Sequence, residues 1–249
     1  MSLHPVVGRP TVPVRASRRL LLTVAVAGGL ALLSQAPRAA DALSLLSKSD
    51  ATAGLREALT RGASAAVDQL GQPGGFLDSE RFRIPLPPAL DTASRAMRMV
   101  GMGSQADALS TAMNRAAEAA VPEARTLLID AVRSMTVQDA KGILTGGDDA
   151  ATQYFRRTTH DQLAARFLPI VHQATAQVGM AQAYDRYASQ GAQFGLVKEE
   201  DAKLDPYVTG KALDALYALV ADKEKAIRAD PVGQGSKLLG KVFGAALAH

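Results

Sequence analysis

From about residue 50 onward, apolar residues recur at helical spacing and are cut at intervals by glycine and proline. Leu55, Leu59, Val67 and Leu70 predict a helix from Asp50 to Leu70 with Ser49 as its cap. Gly71-Gln72-Pro73-Gly74-Gly75 breaks that helix. Phe76 to Pro88, with Pro85, Pro87 and Pro88, reads as an extended connector. Further helices are predicted from Pro88 or Ala89 to near Gly101, from Ser104 to Ala120, and through Pro122 in a first turn to Met135. Thr136 can cap a short helix that Gly146-Gly147 interrupts. Asp148 or Asp149 can cap the next, which carries Tyr154 and Phe155. Thr159 or His160 starts a longer helix to Val178, with Pro169 as a kink point. Met180 to Gln190, Asp205 to Ala229 and an amphipathic piece from Ser236 to Leu247 are the last elements. No alternating stretch argues for a strand. The expectation is an all-α, single-domain multi-helix bundle of roughly eight to ten helices.

Composition sharpens this picture at the N-terminus. Arg15, Arg18 and Arg19 precede the apolar run Leu20–Leu33, and Ala40-Asp41-Ala42 matches an A-x-A cleavage pattern. The expectation is a signal peptide over residues 1–42, a helical domain over 43–249, and work in the periplasm after cleavage behind Ala42. Ser17-Arg18-Arg19-Leu20-Leu21 fits a twin-arginine route and an ordinary Sec route alike. The apolar run falls short of the ~20 residues a helix needs to span a bilayer, so no transmembrane span is expected after cleavage. The formal charge of +4 changes meaning as well. Residues 1–42 hold five Arg against Asp41, which leaves the remainder with 23 basic and 23 acidic residues. A neutral domain has no global electrostatic reason to bind nucleic acid.

Several chemistries are excluded outright. Cys is absent, which removes disulfides, thiolate catalysis, zinc–thiolate sites and a lipidated-Cys anchor. His160 and His172 are too far apart in sequence to share a helix turn, and no H-E-x-x-H or G-x-S-x-G occurs, so no metal-ligating set is predicted. Gly235 to Lys241 imitates a phosphate loop. However, Val242 stands where a magnesium-binding hydroxyl is needed and no strand precedes it. No cofactor can be named.

Three segments remain as candidate sites. Gly146, Gly147, Asp148, Asp149, Gln153, Tyr154 and Arg156 lie on a glycine-rich turn and the helix it opens. Carboxylate capping and a favourable helix dipole explain these residue types without a ligand, and that structural reading is preferred. The functional reading is a loop that binds a cation, a polar ligand or another protein. Asn114, Arg115 and Glu118 share one side of a helix. A solvated face with an Arg–Glu pair is preferred over a buried polar cluster facing the Gly146–Asp149 loop. Residues 236–247 carry an apolar stripe beside Lys237 and Lys241. Docking onto the bundle is preferred there over peripheral contact with a membrane.

The stretches T-G-G-D-D-A-A-T-Q-Y-F-R-R, M-N-R-A-A-E-A-A-V-P-E-A and K-A-L-D-A-L-Y resemble a family of exported bacterial proteins, domain of unknown function 4197. The resemblance runs from about Leu43 to Phe243. It implies export and a helical domain, supplies no reaction, and draws attention to Asn114–Glu118 and Gly146–Arg157. The leading reading is a non-enzymatic domain of the cell envelope that binds a small ligand or an envelope protein. One alternative is a carboxylate- or metal-dependent hydrolase or lyase using Asp148, Asp149 and Glu118. The other is a membrane-associated scaffold acting through residues 236–247.

Overall fold

The computed structural model describes residues 48–101, 103–193 and 203–230, all within one compact unit. The expected signal peptide and the amphipathic piece 236–247 lie outside the described residues. The described residues form helices and turns with no strand among them, so the protein is all-α. In chain order the helices are α1 (Lys48–Gly71), α2 (Pro88–Met99), α3 (Ser104–Ala120), α4 (Ala124–Ser134), α5 (Val137–Thr145), α6 (Ala150–Thr175), α7 (Gly179–Gln193) and α8 (Leu204–Ala229). A 3-10 turn, Val121–Glu123, holds Pro122 and links α3 to α4.

Helices α6 and α8 form the spine. They pack on each other, α3 and α4 lie against α6, and α1 lies against α8 and α4. Leu163, Phe167 and Val171 of α6 meet the core together with Leu213, Leu216 and Tyr217 of α8, all essentially sealed from water. Alanine does much of the remaining packing. Ala106, Ala116, Ala117 and Ala120 of α3 are fully buried, and small side chains let helix axes approach closely. Among the described residues no helix is long and apolar enough to cross a membrane.

Three local expectations need correction. Asp148 and Asp149 do not cap α6. Asp149 stands at the cap position but makes no capping bond. The two helices expected around residue 159 are one, because the hydroxyls of Thr158 and Thr159 bond back to the carbonyls of Tyr154 (2.8 Å) and Phe155 (2.7 Å) and do not cap a new start. Pro169 sits on the exposed side of that continuous helix, where water can reach the carbonyl it leaves unpaired. Finally, the connector is extended only over its last residues. Residues 73–82 are wound into turns, with Asp78 N–H on the Gly74 carbonyl (3.2 Å) and Phe82 N–H on Ser79 Oγ (3.0 Å). Gly74 takes a left-handed φ of 88°, and a side chain at Gly75 would meet the Leu70 carbonyl oxygen at 2.3 Å, so both glycines are required by the turn. By contrast, Thr136 caps α5 as expected, and the structure adds the reciprocal bond from Asp139 that completes a capping box.

Candidate functional site

The connector has few side chains that could hold it by packing alone. Phe76 and Ile84 plug into the core, Phe82 and Leu86 pack against it, Tyr207 donates its hydroxyl to the Pro85 carbonyl at 3.2 Å, and two buried polar residues of α3 fasten the backbone at Gly74–Leu77 and Ile84. Asn114 treats Ile84 as a strand would. Its Oδ1 accepts from the Ile84 N–H at 2.8 Å and its Nδ2 donates to the Ile84 carbonyl at 3.0 Å, with a second bond to Ser110 O at 2.8 Å. One turn on, Glu118 Oε1 accepts from the N–H groups of Gly74 (3.1 Å), Phe76 (3.1 Å) and Leu77 (3.0 Å). Its Oε2 accepts from Arg115 Nη1 at 2.6 Å. Burial pushes the Glu118 carboxyl up. The Leu77 N–H, the Arg115 guanidinium and the Phe76 N–H together outweigh that and hold it below the usual carboxylate range. The expectation of a solvated face therefore fails for Asn114 and Glu118, which are buried, and holds for Arg115, which is half exposed at the rim. The cluster faces the connector and has no hydrogen bond to the Gly146–Asp149 loop.

The connector so fastened forms one wall of an open cleft of about 710 Å³. The other walls are the end of α1 and one face of α8. Gly74, Gly75 and Ser79–Phe82 come from the connector, Gln69 and Gln72 from α1 and the turn beyond it, and Leu219, Asp222, Lys223 and Ala226 from α8. Arg81 bridges the walls through both oxygens of Asp222, with Nη2 on Oδ1 at 3.2 Å, and its guanidinium lies 4.8 Å from the centre of the Phe82 ring. The Asp222 bond and charge hold the Arg81 guanidinium above its ordinary value. Lys223 Nζ donates to Gln69 Oε1 at 3.0 Å. The polar groups that line the cleft are thus bonded across it, Arg81 to Asp222 and Lys223 to Gln69.

The second family segment is organised differently. Gly146, Gly147, Asp148 and Asp149 are exposed. Asp149 accepts from Gln153 Nε2 at 3.0 Å on its own helix. The N-terminus of α6 is instead capped from α8. Glu224 accepts the Ala151 N–H on Oε1 and the Thr152 N–H and hydroxyl on Oε2, each at 2.9 Å. Arg228 Nη2 joins Glu224 Oε1 (2.8 Å) to the Ile143 carbonyl (2.8 Å). Tyr154 is buried and donates its hydroxyl to Ala131 O at 2.7 Å, and burial pushes its phenol up. Arg156 reaches Asp214 at 3.3 Å and lies 4.7 Å from the Tyr217 ring centre.

The predicted residues thus fall into two groups that share no hydrogen-bond partner. Asn114, Arg115 and Glu118 back the cleft wall. Gly146–Arg156 surround the start of α6. Glu118 has both oxygens committed, so it does not meet Asp148 and Asp149 as a carboxylate set. Among the described residues no group of three His, Cys, Asp or Glu side chains stands close enough to hold a metal ion. Arg81, Asp222, Lys223 and Glu224 escape sequence reasoning, because each becomes informative only once α8 lies beside segments some 70 to 150 residues away.

The sequence pattern of the family described as "Protein of unknown function (DUF4197)" matches residues 45–244, and the chain belongs to that family. No curated protein and no solved structure matches the chain.

Proposed function

We propose that this family member is a periplasmic binding domain of the cell envelope, freed from its export segment behind Ala42, that holds a small polar ligand in the cleft between the connector and α8. The observation that carries the reading is the cleft itself, about 710 Å³ of open space. Glu118 fixes its backbone wall at Gly74, Asn114 anchors the connector beyond it at Ile84, and the Arg81–Asp222 pair and Lys223 line it. Rigid walls lower the cost of ordering on binding, so buried polar clamps behind a cleft support recognition. The carboxylate hydrolase reading has no comparable support, since Glu118 is fully occupied by the connector and Arg115.

The test is native mass spectrometry of the protein isolated from its own envelope, set against its denatured mass. The expected result is a polypeptide that begins at Leu43 and carries extra mass that denaturation releases. Ala226→Trp, which fills the cleft from an exposed position on α8, removes that extra mass. A bare protomer for the native protein overturns the binding reading, and a retained Met1 overturns the export reading.

A further inference from the structure

We propose that residues 236–247 dock in the cleft as a helix laid antiparallel along α8, so that the chain carries its own occupant, which a ligand must displace. The segment lies outside the described residues, and the surface that receives it lies within them. Leu219, Asp222, Lys223 and Ala226 line the cleft at positions i, i+3, i+4 and i+7 of α8, the spacing of a helix face that packs on another helix. Across the cleft stand the connector turns and the last residues of α1. Ala226 is exposed.

The sequence beyond α8 matches that face in length and register. Residues 230–235 hold Pro231, which cannot continue α8, and Gly233 and Gly235, which permit a reversal; their number suits a connection between antiparallel helices. A reversal there sets Leu239 level with Ala226, Val242 with Lys223, Phe243 with Asp222 and Ala246 with Leu219. The two sets share one spacing, so a single register matches all four positions. Wound as a helix, residues 236–247 are about 18 Å long and overspan the face on α8, which is about 10 Å long. Leu219, Ala226 and Phe82 supply apolar surface to the cleft. Arg81 and Lys223 have their heads on Asp222 and Gln69, which leaves their methylene stems to pack. A short tether holds the segment at an effective concentration of about millimolar, which favours it over any free partner of equal affinity. The family pattern runs to residue 244, so most of the segment belongs to the domain.

The test uses the absence of Cys, which makes Ala226→Cys a single thiol in the full chain. Its maleimide labelling rate is measured on protein stripped of any bound mass. Adding Phe243→Asp should speed labelling about 10-fold, the scale of one apolar side chain lost from a contact, and adding Phe243→Leu should leave it slow. Circular dichroism checks that each variant keeps its helices. The register is read separately. A short bismaleimide should join Ala226→Cys to Leu239→Cys within one chain and should not join Ala226→Cys to Leu247→Cys, which the register sets two turns away. Equal labelling rates in the parent and Phe243→Asp forms, or equal cross-linking of the two pairs, overturns the docking. The native mass measurement reads the ligand and this one reads the segment, so either reading can fail while the other stands.

Discussion

Glu118 and Asn114 are polar residues whose partners are backbone groups of a distant segment. Three N–H groups converge on one Glu118 oxygen, and an Asn114 amide pairs with both polar groups of Ile84. Removing either side chain strands buried N–H and C=O groups, and each costs about 1–3 kcal/mol when left unmade. Glu118→Ala should therefore lower the unfolding free energy by about 3–5 kcal/mol and Asn114→Ala by about 2–3 kcal/mol, read from urea denaturation. Both should also loosen the connector before the core. Trypsin cleavage at Arg81 and Arg83 should accelerate more than cleavage at Arg133, and uniform acceleration would show that the two residues do not act on the connector. The shared helical face of Asn114, Arg115 and Glu118 was legible from spacing. Their burial was not, since the partners lie 30 to 44 residues upstream and are main-chain atoms with no side-chain signature.

The same physics operates at the level of a helix in α6. Its first turn presents orphan N–H groups, and the sequence places Asp148 and Asp149 where a local cap is expected. The structure gives that role to Glu224, which reaches across from α8 and is held by Arg228. A cap from another helix fastens two elements at once. Glu224→Ala should therefore cost about 3–5 kcal/mol, as breaking one partner of a buried ion pair does. Asp149→Ala, on an exposed side chain bonded only to Gln153, should stay within about 0.5 kcal/mol of the parent. Hydrogen exchange at the Ala151 and Thr152 amides should rise in the first variant and not in the second. The reverse ranking would restore the local cap. Short-range rules identified the right element here and chose the wrong residue, because a side chain 72 or 73 positions away competes for the same N–H groups.

At the scale of the molecule, helix positions were largely legible and their interior contacts were not. Apolar spacing located α1, α3 and α8 to within two residues because each buries a stripe defined by its own sequence. Which stripes face each other, and hence where a cleft opens, depends on packing between distant segments, as where Gly62 of α1 lies against α8. A side chain added there would meet Ile227 and Lys223 at 3.5 Å, ordinary contact, so Gly62→Ala should fit and raise stability by about 0.5–1 kcal/mol in a thermal melt. Two hydrogen-bonded carboxylates, Glu118 in the interior and Asp139 at the partly exposed start of α5, also set how the whole fold responds to acid. Glu118 and Asp139 both hold their carboxyls below the ordinary range. For Glu118, burial opposes the shift and the hydrogen bonds of Leu77, Arg115 and Phe76 prevail. For Asp139, the Thr136 hydroxyl and N–H are the main cause. A group depressed in the folded state binds its proton more readily when unfolded, so its contribution is present above the unfolded value, about 4.3 for Glu118 and about 3.9 for Asp139. It is lost as pH falls through the lower folded value. The urea midpoint should therefore hold between pH 7 and 5 and fall steeply below pH 4. Glu118→Gln, which keeps an acceptor for the connector N–H groups but cannot titrate, should begin lower at pH 7 and fall less on acidification. Parallel curves for the two proteins would place the acid sensitivity elsewhere in the fold.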